Sequence, residues 1–178
     1  MNKIYLITGM SASGKTTIAN GLETTYGLKQ IQSYTTRPMR YENETGHIFV
    51  NDEMFNNLKD LVGYTVYQNH RYAATSQQVE ENDVYVINPD GIEYFKNNYK
   101  GNKKPVVIYV DTSIYNCAER MQSRGGMTFG EIMHRIDDDI IALRNVKQKA
   151  DFIVENNGEN ADKCIRDVYS FIVRCENE

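Results

Sequence analysis

Residues 9–17 read GMSASGKTT, and Gly9, Gly14, Lys15 and Thr16 fit the pattern G-x-x-x-x-G-K-[ST]. That spacing suits a chain of phosphates. Glycines let the backbone wrap closely around an anion, with the N–H groups of the turn and of the following helix facing it. The candidate ATP-binding residues are therefore Gly9, Ser11, Ala12, Ser13, Gly14, Lys15, Thr16 and Thr17. Lys15 would reach the β- and γ-phosphates, and Thr16 would put its hydroxyl on Mg²⁺. The pattern carries weight only between a strand and a helix. Ile4–Thr8 is a short apolar β-rich run and Thr16–Tyr26 reads as a helix, so the context is met. The bland alternative is a glycine turn with an exposed lysine.

A second stretch, SYTTRPMR (33–40), places Arg37 and Arg40 three apart around Pro38. Proline there makes a helix unfavourable and points to an extended turn. Two guanidiniums on one rigid turn can fork onto one phosphate dianion. Ser33, Thr35 and Thr36 add hydroxyl donors; the alternative is a solvated loop with surface arginines. A third stretch, RGGMTFG (124–130), reads as a glycine hinge, with Arg124 before it and Arg135 on the helix after it. Phosphoryl transfer asks a protein for alignment and positive charge. Lys15, Arg37, Arg40, Arg124 and Arg135 are the cations expected to supply it. Asp137, Asp138 and Asp139 form a run expected to be a solvated face, and Arg120 is expected to be structural.

The elements that would position these groups alternate. Ile4–Thr8, DVYVIN (83–88), PVVIYV (105–110) and DFIV (151–154) read as strands; segments near 16–26, 91–99, 112–123, 130–146 and 160–174 read as helices. Continuous apolar strands alternating with helices indicate an α/β fold with a parallel sheet covered on both faces. Residues 33–75 break the rhythm. They are rich in Thr, Tyr, Asn and Arg, with one short helix at DEMFNNLKD. The expected architecture is one domain over 1–178, a three-layer sandwich of the P-loop kinase type. Its core is 1–32, 76–123 and 147–178, its mixed acceptor-binding lobe 33–75 and its lid 124–146.

The 178 residues are 40% hydrophobic and 25% charged, ordinary for a globular protein. A net charge of −4 argues against a nucleic-acid partner. Three cysteines without metal-ligand spacing read as reduced thiols. With neither a leader pattern nor a long apolar run, the expected location is the cytoplasm, away from membranes. The base-reading Asn/Thr-Lys-x-Asp pattern of Ras-type GTPases is absent, and a small-molecule kinase fits better.

GMSASGKTT, SYTTRPMR with the following Gly and Phe, the Arg-Gly hinge and DFIVEN together resemble the guanylate kinase family nearly end to end. The TTRPMR element is the most specific part. In that family it binds the acceptor phosphate, which implies Ser33, Arg37 and Arg40 as acceptor-site residues. His47 falls nearest a family tyrosine that binds the same phosphate, and imidazole can donate to it; a surface-turn histidine is the alternative. Tyr72 matches the tyrosine of the second acceptor segment. Val86 and Asn88 stand where the family has Asp-x-Asp, so Asn88 joins the acceptor set. Asn88 or Asp90 would hold a metal-bound water, or else cap the next helix. Arg124 and Arg135 match the family's lid arginines.

The chief departure is Gly63, where the family has its guanine-reading Glu. A carboxylate accepts from both the N1–H and the amino group of guanine; here Gln68, Glu42 and Glu44 are the substitutes spacing cannot rank. The resemblance implies transfer from ATP, with Mg²⁺, to a nucleoside monophosphate, GMP or dGMP favoured, by a monomer or homodimer. Two rivals stand beside it. One is a kinase of the same fold with another acceptor, another (deoxy)nucleotide or the sugar of the ribose 1,5-bisphosphate phosphokinase family, which TGHIF resembles. The other is a guanylate-kinase-like binding module, which usually lacks a working phosphate loop.

Overall fold

Alternating burial along the first strand sets the architecture. In β1 (Lys3–Gly9), Tyr5 and Ile7 face one side and Ile4 and Leu6 the other, and all four are fully buried. A strand apolar on both faces needs a layer on each side. The computed structural model describes residues 1–158 and 160–178; Glu159, inside the expected core segment 147–178, lies outside them. Its first sheet is parallel, in the order β6 (Val84–Val86), β1, β7 (Lys104–Asp111), β8 (Phe152–Glu155). Helices α1 (Lys15–Tyr26) and α7 (Asp162–Asn177) cover one face through Ile18, Leu22, Val168 and Ile172. On the other face lie α3 (Ser76–Glu81), α4 (Pro89–Asn98), α5 (Ile114–Arg124) and α6 (Phe129–Leu143).

The second sheet is mixed, in the order β3 (His47–Phe49), β2 (Ser33–Thr35), β5 (His70–Thr75), β4 (Leu61–Tyr67). β2 and β3 run parallel; the other pairs are antiparallel. Gln68 and Asn69, both at positive φ, make the β4–β5 turn, as a two-residue hairpin requires. This sheet shares its core with the first. Val62 and Ala74 pack with Ile4, Leu6, Ile92 and Phe95.

Several boundaries differ from expectation. The helix expected at 52–60 is α2 (Asp52–Asn56), capped by Asn51; Asp60 at φ +50 breaks the chain before β4. Helix α3 was not anticipated. Thr75 and Gln78 form a reciprocal capping box that starts it. The helix expected at 130–146, α6, starts at Phe129 behind a second capping box, Thr128 with Glu131, and ends at Leu143. Strand 83–88 shortens to β6 because Asn88 caps α4, with Pro89 in its first turn.

Phe95 anchors α4, and through it Asn88, to both sheets; it is fully buried. Phe95→Ala should lower unfolding stability by about 3–5 kcal/mol, read as a lowered urea midpoint at an unchanged slope.

Candidate active site

The loop after β1 is shaped by close approach. Gly9 sits at φ +148, and a Cβ there would fall 2.5 Å from the Val110 carbonyl oxygen. Beyond it, the loop's outer carbonyls are tied from outside. Ser13 O accepts from Asn156 Nδ2 at 2.7 Å and Thr112 Oγ1 at 3.1 Å. Arg120 donates to Ala12 O at 3.4 Å and to the Asn156 and Gly158 carbonyls at 3.0 Å each. Lys15 folds back, its Nζ donating to Gly9 O at 2.8 Å and Met10 O at 2.7 Å. Burial pulls that ammonium down to about 8, against the opposing pull of Asp139. Gly14 caps α1, and Thr16 and Thr17 are exposed on its first turn.

Helix α6 meets this loop through an apolar contact, Met10 with Ile132 and Ile136, and through two polar side chains. Arg135 Nε donates to Ser11 Oγ at 2.8 Å, and the Ser11 amide donates to Asp139 Oδ2 at 2.5 Å. The Arg135 guanidinium also sits 5.2 Å above the Tyr67 ring. The acidic run is therefore not uniformly solvated. Asp137 and Asp138 are exposed, whereas Asp139, on the Arg135 side of the helix, reaches the loop. Arg124 is exposed at the end of α5, before Gly125 and Gly126, both at positive φ. It lines an outer cleft with Ser11, Ala12, Lys15 and Arg135.

The inner cleft faces the mixed sheet. Ser33, Arg40, His47 and Tyr72 line it opposite Gly9, Ser11, Lys15 and Arg135, and Asn88 lines it beside Thr65. His47 Nδ1 lies 2.9 Å from Ser33 Oγ, and its ring packs edge-on to Tyr72 at 5.6 Å. Burial first, then the Arg37 charge, hold the imidazole below its usual pKa. Arg37 is placed differently. It is buried beneath the turn, where its two terminal nitrogens meet the Glu44 carboxylate at 2.7 and 3.1 Å and one also donates to Pro38 O. The same carboxylate accepts from the Arg40 amide at 2.7 Å. Glu44, one of the three substitutes for a base-reading acceptor, is thus committed to the turn. Asn88 caps α4 with its Oδ1.

Sequence reasoning missed Thr65, Tyr67 and Tyr85, which line the cleft, and Thr112 and Asn156, which hold the loop. Only Gly63 in VGYT signalled that β4 departs from a regular strand there. Among the described residues no helix is long and apolar enough to cross a membrane.

A parallel α/β core with a glycine-rich loop at the end of its first strand, facing a mixed sheet across a cleft lined by cations, is the architecture of a small nucleotide kinase. The chain belongs to the guanylate kinase family: the family's sequence model, described as guanylate kinase, matches residues 1–174. It is accordingly a guanylate kinase-like nucleoside monophosphate kinase, an ATP-dependent phosphotransferase. The fold is similar to that of a solved guanylate kinase from Anaplasma phagocytophilum, with a TM-score of 0.66 and 18% sequence identity over 98% of this chain and 86% of that one. No curated protein matches the chain in sequence.

The Arg37–Glu44 pair makes a pH prediction. Arg37 and the Arg40 amide hold the Glu44 carboxyl down at about 2, from an ordinary 4.5. A carboxylate depressed in the folded state stabilises above its unfolded pKa, and that contribution is lost as pH falls toward the folded value. Glu44→Gln should therefore be less stable than the parent at pH 7. The two urea midpoints should converge between about pH 4.5 and 2; a pH-independent gap would contradict the assignment.

Proposed function

We propose that the chain transfers the γ-phosphate of ATP to GMP or dGMP, with residues 9–17 as the ATP-phosphate loop, 33–75 as the acceptor-binding lobe and 124–146 as the lid. The observation that carries this reading is a single cleft in which Ser33, Arg40, His47 and Tyr72 face Lys15, Ser11 and Arg135. In this reading the acceptor phosphate lies against the first set and the donor phosphates against the second, so the two meet between them. Tyr72 donates its hydroxyl and His47 its outer N–H, while the Ser33 hydroxyl beside them donates to Nδ1 and so fixes that tautomer. Arg37 acts from beneath, holding the turn through Glu44. The acceptor is already a phosphate, so no general base is called for; alignment and positive charge carry the reaction. Lys15, Arg40 and Arg135 supply the charge inside the cleft, and Arg124 supplies it when the lid closes.

Mg²⁺ fits the same site. Thr16 Oγ1 is exposed on the first turn of α1 and binds no protein group among the described residues. A lone hydroxyl suits a cation that keeps most of its shell as water and nucleotide oxygens. When bound, the ion neutralises charge on the donor phosphates.

One observation favours a second acceptor class: Gly63 brings no carboxylate to the cleft. A coupled ADP-release assay with ATP–Mg²⁺ and a panel of nucleoside monophosphates and ribose 1,5-bisphosphate tests both readings. GMP should be turned over, and Lys15→Met should lower kcat/KM by about 100-fold or more with an unchanged circular dichroism spectrum. Turnover of ribose 1,5-bisphosphate alone would establish the second class. No turnover with any acceptor would overturn both.

A further inference from the structure

One contiguous part of the inner cleft is floored by Gly63, Thr65, Tyr85 and Asn88. β4 reaches it through a bulge: its pairing with β5 shifts register between Val62 and Thr65. Gly63 sits in the bulge at φ +62, and a Cβ there would lie 2.7 Å from the Tyr85 ring and 2.9 Å from its hydroxyl. Tyr85 thus fills the space a side chain at position 63 would need. The bulge leaves Thr65 facing the cleft, 9% exposed.

Hydrogen-bond polarity then runs in one direction. Asn88 Oδ1 accepts the Gly91 amide at 2.9 Å, which fixes the two ends of the side-chain amide. Its Nδ2 donates to Thr65 Oγ1 at 3.0 Å. A hydroxyl that has accepted still holds its own proton, and the amide has a second N–H. Among the described residues the Thr65 hydroxyl donates to no protein group. The carboxylate that lines this cleft, Asp139, is bound to the Ser11 amide. Tyr85 adds a hydroxyl that burial keeps neutral, able to donate or accept and so placing no demand on a ligand.

We infer that the floor of the cleft recognises the acceptor nucleotide through a ring carbonyl of its base, by donation from Thr65 and Asn88, and does not read an exocyclic amino group. The inference rests on the nucleoside monophosphate kinase reading and names the base chemistry of that same site. Guanine and hypoxanthine share the 6-carbonyl and differ by the 2-amino group, so this floor treats them alike. Adenine turns an amino group toward the same donors and is rejected, since donors left unpaired on burial are costly.

Asn88→Asp tests the polarity directly. Aspartate keeps the capping oxygen of α4 but replaces the donating NH₂ with an acceptor, so the Thr65 hydroxyl donates to the new carboxylate and shows a lone pair to the cleft. The experiment measures kcat/KM with ATP–Mg²⁺ for GMP, IMP and AMP, and binding of GMP and IMP by calorimetry. It uses the full chain, Asn88→Asp and Thr65→Val. In the parent, GMP and IMP should agree within about threefold and each exceed AMP by about tenfold or more. Asn88→Asp should raise the GMP/IMP ratio about tenfold. Thr65→Val should lower both about tenfold and leave their ratio unchanged. A parent preference for GMP over IMP beyond about thirtyfold, or a ratio unmoved by Asn88→Asp, would overturn the inference. Absence of turnover with every nucleotide would instead overturn the proposed function. Calorimetry would then still decide the inference: matched affinities support it, and a large gap or no binding overturns it.

Discussion

The tether on the Ser13 carbonyl is the constraint from which the cleft is built. Asn156 and Thr112 both donate to it, from the ends of β8 and β7, and Arg120 on α5 braces the Ala12, Asn156 and Gly158 carbonyls behind them. Each such bond is worth only about 1 kcal/mol net. Their value is geometric, because together they tie the outer side of the loop to the carboxyl ends of neighbouring parallel strands. That edge of an open parallel sheet is where the chain leaves a crevice. The register of β1 on β7 completes the arrangement by pressing Gly9 against Val110, which admits no side chain.

The other walls are registered on that loop. Arg135 and Asp139 stand four residues apart on α6 and so share a face. They take the hydroxyl and the amide of Ser11, which ties α6 to the loop beside the Met10 contact. The mixed sheet is held by the shared core of Val62, Ala74, Ile92 and Phe95 with Ile4 and Leu6. One helix, α4, both closes that core and lines the cleft with Asn88.

Much of this was legible in the sequence because it rests on local rules. The glycine spacing, Lys15 and the apolar runs of β1 and β7 announce the strand, loop and helix order without tertiary information. Ser33, Arg40, His47 and Tyr72 were named from motif positions, and the fold brings them to one cleft. What was not legible depends on partners remote in sequence. Thr112 and Asn156 become loop braces only when β7 and β8 converge, and Arg120, expected to be structural, finds its partner carbonyls only there. Asp139 reads as one of three like charges until α6 is docked. Arg37 reads as a free phosphate fork until Glu44, across the turn, closes on it. Gly63 looked like a lost side chain; the bulge and the Tyr85 ring show that its space is filled. Helix α3 was missed for a different reason, since its Thr75–Gln78 capping box is a local signal that was there to be read.

The central claim is that donor and acceptor phosphates meet between Lys15 and the Ser33–His47–Tyr72 wall. A crystal structure with a non-hydrolysable ATP analogue, Mg²⁺ and GMP tests it most directly. The account requires the γ-phosphate on the backbone of residues 9–15 and Lys15, with the GMP phosphate within hydrogen-bond reach of Ser33, Arg40, His47 and Tyr72. A GMP phosphate held elsewhere, with those four side chains unliganded, would contradict it.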